Sequence, residues 1–288
     1  MAFSDAEAEA SRRLIELALA EDFGGLGDLT SRPFFPPQAR GRADFIARKP
    51  GILAGLPAAI LTAMAFSRNF RFEPRRADGD SLQPGDVIAV IEGSHLGILG
   101  AERTMLNFMQ RLSGVATLTR RYVDAVAGLP AKILDTRKTT PGWRLLEKYA
   151  VRQGGGTNHR IGLYDAVMVK DNHLIANAKT LRWSFADMVR EFRKTAAAFI
   201  EIEIDSLSQF DEALAAGPDI LLLDNMNASA IRDAVVRRDR AGSKVLLEAS
   251  GGVNLDTVRG LAETGVDRIS VGALTHSAPA LDIALDYE

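Results

Sequence analysis

The residues best equipped for chemistry lie close together, between Lys132 and His173. Eight Lys or Arg (Lys132, Arg137, Lys138, Arg144, Lys148, Arg152, Arg160, Lys170) stand there against four Asp or Glu (Asp135, Glu147, Asp165, Asp171), in a 288-residue chain whose net charge is -2. Two apolar runs, Lys132–Leu134 and Ala166–Val169, each stop abruptly at charge: Asp135-Thr136-Arg137-Lys138 and Lys170-Asp171-Asn172-His173. A strand that ends in cations is arranged to hold an anion, because Arg and Lys supply charge and directed donors together. Taken singly, such residues are usually just solvated. Gathered beside the triple glycine Gly154-Gly155-Gly156, they point to a site.

The acids have a separate logic. Glu201 and Glu203 alternate with Ile200, Ile202 and Ile204, so both carboxylates share one strand face, and Asp224 ends the following apolar run. Carboxylates on neighbouring strand ends suit a hydrated Mg²⁺ or a ribose diol, with Glu203 and Asp224 reaching the metal through water. Without cysteine or an HExxH pair, zinc is not expected. Two glycine-containing turns offer backbone donors to a phosphate. Ser250-Gly251-Gly252-Val253-Asn254 follows one apolar run and opens a predicted helix at Leu255. Gly272 to His276 follow the last run, where barrels often place phosphate sites. His159 adjoins Arg160 and His173 follows Lys170; for His173 a structural and a catalytic role weigh equally. His95, Trp143 and Tyr149 read as packing residues, and Asp135 as the group that orients the basic loop.

These groups need strands to carry them. From Ala131 the pattern alternates strand and helix, with strands predicted at Ala131–Asp135, Ala166–Lys170, Phe199–Ile204, Asp219–Asp224, Lys244–Ala249 and Asp267–Val271. Amphipathic helices are predicted at Phe185–Thr195, Leu207–Ala215, Ala228–Arg240 and Leu255–Glu263. Such units imply a parallel sheet covered by helices. Both a doubly wound sheet and a barrel fit the rhythm, but functional groups at many strand ends favour a barrel. Six strands where a full barrel has eight make it incomplete: an open α/β barrel.

Residues 1–115 read differently. A helix over 5–21, strands at Arg42–Arg48, Phe70–Pro74 and Asp86–Glu92, and a helix at Leu99–Leu112 make an N-terminal α+β unit. A further helix is predicted at Thr117–Ala127; the barrel is assigned to 116–278, and the tail 279–288 is expected to return to the N-terminal unit. An apolar content of 47% supports a substantial core. The absence of cysteine excludes disulfides and thiol nucleophiles and fits a reducing cytoplasm. The near-zero net charge argues against nucleic acid. The apolar stretch Gly51–Phe66 is interrupted and too short to span a bilayer.

Several of these segments carry a resemblance. DTRKTTPG (135–142), K-x-A-V-R-x-G-G-G-x-N-H-R-x-G-L-x-D (148–165) and K-D-N-H (170–173) closely resemble the quinolinate phosphoribosyltransferase family, the decarboxylating enzymes of NAD biosynthesis. The likeness runs from GDLTS near residue 28 to SVGALTHS near residue 270, departing at Gln153, where many members carry Cys, and at Trp143, where a smaller aliphatic residue is usual. The resemblance implies an open α/β barrel with an N-terminal α+β sandwich. It also implies transfer of a phosphoribosyl group from phosphoribosyl pyrophosphate to quinolinate, with loss of CO₂.

Residue by residue, it implies that Arg137, His159, Arg160 and Lys170 hold the quinolinate carboxylates, joined by Arg103. Lys138, Glu203, Asp224, Ser250, Gly251, Gly252, Gly272 and His276 would hold phosphoribosyl pyrophosphate and its Mg²⁺, with no organic cofactor. Lys138, Lys170, Glu203 and Asp224 are the expected catalytic set. Arg103 lies in E-R-x-x-x-N-F-x-x-R-L-S-G and, in this family, reaches the partner subunit's site, which implies a homodimer. Other readings are a related phosphoribosyltransferase-like protein tied to molybdenum transport, an aldolase-type barrel with a Schiff-base lysine, and a non-catalytic metabolite-binding barrel. The V-K-D-N-H and N-H-R motifs favour the quinolinate reading over the molybdenum-linked one.

Overall fold

The computed structural model describes residues 3–67 and 69–287. Along the chain run α1 (Asp5–Phe23), α2 (Ser31–Phe34), β1 (Arg40–Ala47), β2 (Gly51–Ile52), α3 (Leu56–Phe66), β3 (Arg71–Pro74), β4 (Ser81–Leu82), β5 (Val87–Ser94) and α4 (His95–Ala125). Then follow β6 (Lys132–Leu134), α5 (Arg144–Gln153), β7 (Val167–Val169), α6 (Asp171–Lys179), α7 (Phe185–Phe192), β8 (Ile200–Ile204), α8 (Leu207–Ala216) and β9 (Ile220–Asp224). The last elements are α9 (Ala228–Arg240), β10 (Leu246–Ser250), α10 (Val258–Ala262), β11 (Arg268–Ser270), α11 (Ala273–His276) and β12 (Ile283–Tyr287).

Two compact units emerge. The first holds everything up to Arg120, then Thr139–Gly155, then everything from Leu274 onward; the second holds Arg121–Lys138 and Gly156–Ala273. Residues 139–155, expected in the barrel, therefore belong to the first unit. Buried polar contacts explain this: Arg152 pairs with Glu7 at 2.6 Å, the Tyr149 hydroxyl donates to Asp78 at 2.8 Å, and Arg111 pairs with Glu147 at 2.6 Å.

In the first unit a four-stranded sheet runs β12-β1-β5-β3, with β12 antiparallel to β1 in the register Phe45↔Leu285. Ala43, Phe45 and Ala47 of β1 and Ile88, Ala89 and Ile91 of β5 share one core with Leu56, Ala59 and Ala63 of α3 and Ile98, Met105 and Met109 of α4. The apolar stretch before Phe66 is thus a core helix. Its first turn is capped at a distance: Asp78 accepts the N–H groups of Gly55 and Leu56 at 2.7 and 3.1 Å. Among the described residues, no helix is long and apolar enough to cross a membrane.

The two helices expected around Ser113-Gly114 are one helix of 31 residues, α4. Ser113 does not break it, because its hydroxyl donates to the Ala54 carbonyl at 3.0 Å and accepts the Ala54 N–H at 2.9 Å. At Gly114 a Cβ would fall 2.1 Å from the Pro279 carbonyl oxygen, so glycine serves close approach there rather than a turn.

In the second unit a six-stranded parallel sheet has the order β6-β11-β10-β9-β8-β7. Read as a ring this is simply chain order, with the last strand β11 closing onto the first, β6, and a single break between β6 and β7. A doubly wound sheet reverses its order at a switch point; this one never does. Right-handed crossovers without reversal place every helix on the same outer face. The result is the open barrel, and it settles the alternative that the strand-helix rhythm left standing. Buried Ile200, Ile202, Leu221, Leu223, Leu247 and Ile269 show the unbroken apolar character of strands covered on both faces.

Candidate active site

All six barrel strands contribute side chains at or just past their C-terminal ends to one cavity of about 590 Å³. Thr136, Arg137 and Lys138 follow β6, Lys170 follows β7, Glu203 lies on β8, Asp224 ends β9, Ser250 ends β10 and Ser270 ends β11. Parallel pairing sets the layering: Glu203 lies beside Leu222, and Asp224 beside Ser250. Since strand side chains alternate faces, each such residue has a lumen neighbour two positions earlier. Met168, Leu222 and Glu248 are those neighbours for Lys170, Asp224 and Ser250, and all three line the cavity.

The cations flank the break in the barrel: Arg137 and Lys138 follow one edge strand, β6, Lys170 follows the other, β7, and Arg160 lies in the segment that leads into β7. Arg160 is buried, and its guanidinium donates to the Ala166 carbonyl at 3.1 Å. Burial first, and then the Arg137 charge, lower its pKa from the usual arginine range. Like charges crowded in this way are stabilised by an anion between them. Lys170 reaches Glu203 at 3.4 Å and is half-exposed to the cavity. His173 is an N-terminal bracket of α6, its Nδ1 accepting the Lys170 N–H at 2.9 Å.

Asp135 is fully buried and takes the Asn158 amide at 2.6 Å and the His159 N–H at 2.8 Å. It thereby fixes the turn that presents His159 and Arg160. Beneath them lies a buried group: His159 Nε2 is 2.9 Å from Glu201 and 3.4 Å from Glu248, and Glu248 accepts from Arg268 at 2.7 Å. Burial alone would lower the His159 pKa, but hydrogen bonds and charges from both carboxylates raise it, to about 9. Against that, the Arg160 N–H donates to Nδ1 at 2.7 Å, which demands a lone pair there. The position on which both influences agree is a proton on Nε2, facing the carboxylates. Burial and the Glu248 charge push the Glu201 carboxyl upward; His159 and Arg268 hold Glu248 ionised despite its burial. The three ligand atoms of His159, Glu201 and Glu248 are close enough for a metal ion. However, a metal-bound imidazole must free its ligating nitrogen and donate from the other, the reverse of this arrangement.

The turn after β10 carries two successive left-handed glycines, Gly251 at φ 95° and Gly252 at φ 60°. A Cβ on Gly252 would meet nothing within 4 Å, so its backbone borders open space. The helix expected from Leu255 begins only at Val258, because the Asn254 side chain accepts the N–H groups of Asp256 and Thr257 at 2.9 and 3.0 Å. Backbone amides of a glycine turn, rather than a helix terminus, are what this loop offers an anion. The triple glycine has a structural duty. Gly154 ends α5, where a Cβ would come 2.4 Å from the Ala116 carbonyl oxygen.

Of the residues predicted from sequence, Arg137, Lys138, His159, Arg160, Lys170, Glu203, Asp224, Ser250, Gly251 and Gly252 line the one cavity. Gly272 follows β11 but is not among its lining residues, and Arg103 and His276 lie in the first unit. Arg103 is exposed on α4; Gln110, seven residues further along the same helix, is instead tied to the Ile283 carbonyl at 2.7 Å. Sequence reading missed Glu248, Asn225 and Ser270. Glu248 stands two residues before Ser250, the same spacing that links Glu201 to Glu203, and that was the available signal. His95 stacks on Phe35 and Tyr287, and Trp143 on Phe108 at 5.0 Å, as packing residues do.

A barrel mouth that sets four cations, four carboxylates and a glycine turn around one cavity suits an α/β-barrel enzyme acting on small polyanions. Two family models cover nearly the whole chain: the quinolinate phosphoribosyl transferase N-terminal domain over residues 28–113 and the C-terminal domain over 115–286. The chain belongs to the quinolinate phosphoribosyltransferase family. It is 44% identical to the nicotinate-nucleotide pyrophosphorylase (carboxylating) of Mycobacterium leprae, over 98% of this chain and 99% of that one. It is 42% identical to a probable enzyme of the same name from Bacillus subtilis, over 96% of this chain and 92% of the other. The solved structure of the Francisella tularensis nicotinate-nucleotide pyrophosphorylase superposes with a TM-score of 0.90 at 36% identity, covering 98% of this chain and 97% of that one.

Proposed function

We infer that this chain transfers the phosphoribosyl group of phosphoribosyl pyrophosphate to quinolinate with loss of CO₂, giving nicotinate mononucleotide and pyrophosphate. The observation that carries the reading is the single cavity in which Arg137, Arg160 and Lys170 meet Glu203, Asp224 and the Ser250–Gly252 turn. Arg137, Arg160 and Lys170 bind the two quinolinate carboxylates, and Arg forks match that planar geometry. His159, seated against the buried carboxylates of Glu201 and Glu248, joins them at the same pocket. The glycine turn takes a phosphate, and Lys138 the pyrophosphate. Glu203 and Asp224 offer an oxygen-only donor set on adjacent strands with room for water, which fits a hydrated Mg²⁺; bound there with the substrate, the ion would screen the pyrophosphate charge.

Attack of the pyridine nitrogen on the anomeric carbon forms the C–N bond as the C–O bond to pyrophosphate breaks, through an oxocarbenium-like state. Carboxylates preorganised beside that carbon stabilise the positive charge, and cations retain the leaving group. The ring becomes a pyridinium. Its ortho carboxylate then departs as CO₂, leaving its electron pair on the carbon beside the positive nitrogen. A proton completes the product, and we assign its delivery to Lys170 or to water. Incubation with quinolinate, phosphoribosyl pyrophosphate and Mg²⁺ is expected to release CO₂ and nicotinate mononucleotide in equal amounts. Nicotinate, which lacks the second carboxylate, should replace quinolinate poorly; equal rates with the two would refute the assignment.

We further propose a homodimer in which Arg103 acts in the partner subunit's site. Exposure of Arg103 on α4 permits this, and a two-fold axis would supply it to both sites. Arg103→Ala and Lys138→Ala should each be inactive alone. Co-expressed in equal amounts, half the dimers are mixed and half of their sites intact, so about a quarter of wild-type activity should return. Mixed dimers, verified with two tags, that stay inactive would rule out action in trans.

A further inference from the structure

We propose that Asn225 is a positioning residue for the phosphoribosyl pyrophosphate half of the site, acting through Asp224 and the glycine turn. This rests on the reading of Asp224 as a ligand of that substrate. Among the described residues only Arg182 and Asn225 adopt a positive φ without being glycine, and Asn225 does so at 54°, immediately after β9. Asparagine tolerates this conformation better than most residues, and strained backbone that persists beside a cavity is over-determined by its surroundings. Those surroundings can be named.

The Asn225 side-chain amide donates to the Asp224 carboxylate at 2.7 Å, and its orientation is forced, since a carboxylate only accepts. Its backbone N–H donates to the Ser250 carbonyl at 2.9 Å, joining the turns after β9 and β10. The side-chain oxygen packs on Gly251, where a Cβ would fall 2.2 Å from it and 2.8 Å from the Asn225 nitrogen. Asn225, Asp224, Ser250, Gly251 and Gly252 all line the same cavity. The ordinary alternative, capping of α9, is taken by another residue: Asn227 accepts the Ala230 N–H at 3.0 Å. Asn225 is therefore the piece shared by the carboxylate, the Ser250 carbonyl and the glycine turn. Its side chain holds the carboxylate, and the missing Cβ of Gly251 leaves room for that side chain and for the Asn225 backbone.

Glycine adopts the same backbone freely, so Asn225→Gly removes the amide and keeps the turn, whereas Asn225→Ala disturbs both. The test is calorimetric affinity for each substrate, with Mg²⁺ for phosphoribosyl pyrophosphate, together with thermal melting. Asn225→Gly should melt near the wild type, bind quinolinate normally and bind phosphoribosyl pyrophosphate roughly tenfold more weakly, the lower range for losing a hydrogen bond to a charged group. Asn225→Ala should show the same weakening and also melt lower. Wild-type phosphoribosyl pyrophosphate affinity in Asn225→Gly, or equal weakening for both substrates, would overturn the proposal. A wild-type protein that binds both substrates but makes no product would defeat the assigned reaction, while the comparison of affinities would still decide the role of Asn225.

Discussion

Replacing Arg137 or Arg160 by alanine should weaken quinolinate binding by roughly thirty- to five-thousand-fold, while leaving phosphoribosyl pyrophosphate binding nearly intact. The estimate corresponds to about 2–5 kcal/mol, the cost of truncating one partner of a buried, hydrogen-bonded charge pair. Arg160 should stand near the upper end, since it is buried, held by the Ala166 carbonyl and supported through Asp135 and His159. Asp224→Ala should show the opposite selectivity. Calorimetry with each substrate reads both effects, and normal quinolinate binding by Arg137→Ala would remove the basic loop after β6 from the quinolinate site.

A second large effect is expected far from the chemistry, on stability. Glu147 has no solvent exposure and accepts from Arg111 at 2.6 Å, from the Thr140 N–H at 3.1 Å and from its hydroxyl at 2.9 Å. Arg111 also donates to the Ala278 carbonyl at 2.9 Å and to that of Thr275. Glu147→Ala would leave a largely buried guanidinium without its counter-charge, at a cost of about 3–5 kcal/mol. Glu147→Gln, which still accepts one hydrogen bond, should lose distinctly less. Denaturant unfolding of the two variants checks the order, and equal losses would show that the lost charge alone, and neither the volume nor the remaining hydrogen bond, is what matters at this position.

Much of this arrangement was legible because strands announce themselves in short apolar runs that end in charge. The ends of β6, β7 and β9 could be read in that way, and so could the cations and acids they carry; β10 was marked instead by the glycine turn after it. What stayed hidden had no local signature. Residues 139–155 sit between two barrel strands in sequence, and it takes distant contacts such as Arg111 with Glu147, Arg152 with Glu7 and Tyr149 with Asp78 to join them to the other unit. The one-piece α4 was obscured by Ser113-Gly114, a pair that reads as a break and is really a packing contact with Ala54 and Pro279. For His159 the resemblance implied only a role in holding substrate. The buried Glu201 and Glu248 that hold it could be found only where three distant segments meet.

The division of the chain also has a consequence for how the protein is made. Family boundaries suggest a simple cut near residue 114, yet the first unit takes its sheet edge from Ile283–Tyr287 and the counter-charge of Arg111 from Glu147. A fragment ending near residue 114 would expose the pairing edge of β1, an invitation to aggregation. During synthesis the barrel strands through β11 emerge before β12 does, so the second unit can fold while the first still lacks an edge. The N-terminal portion, made first, is finished last.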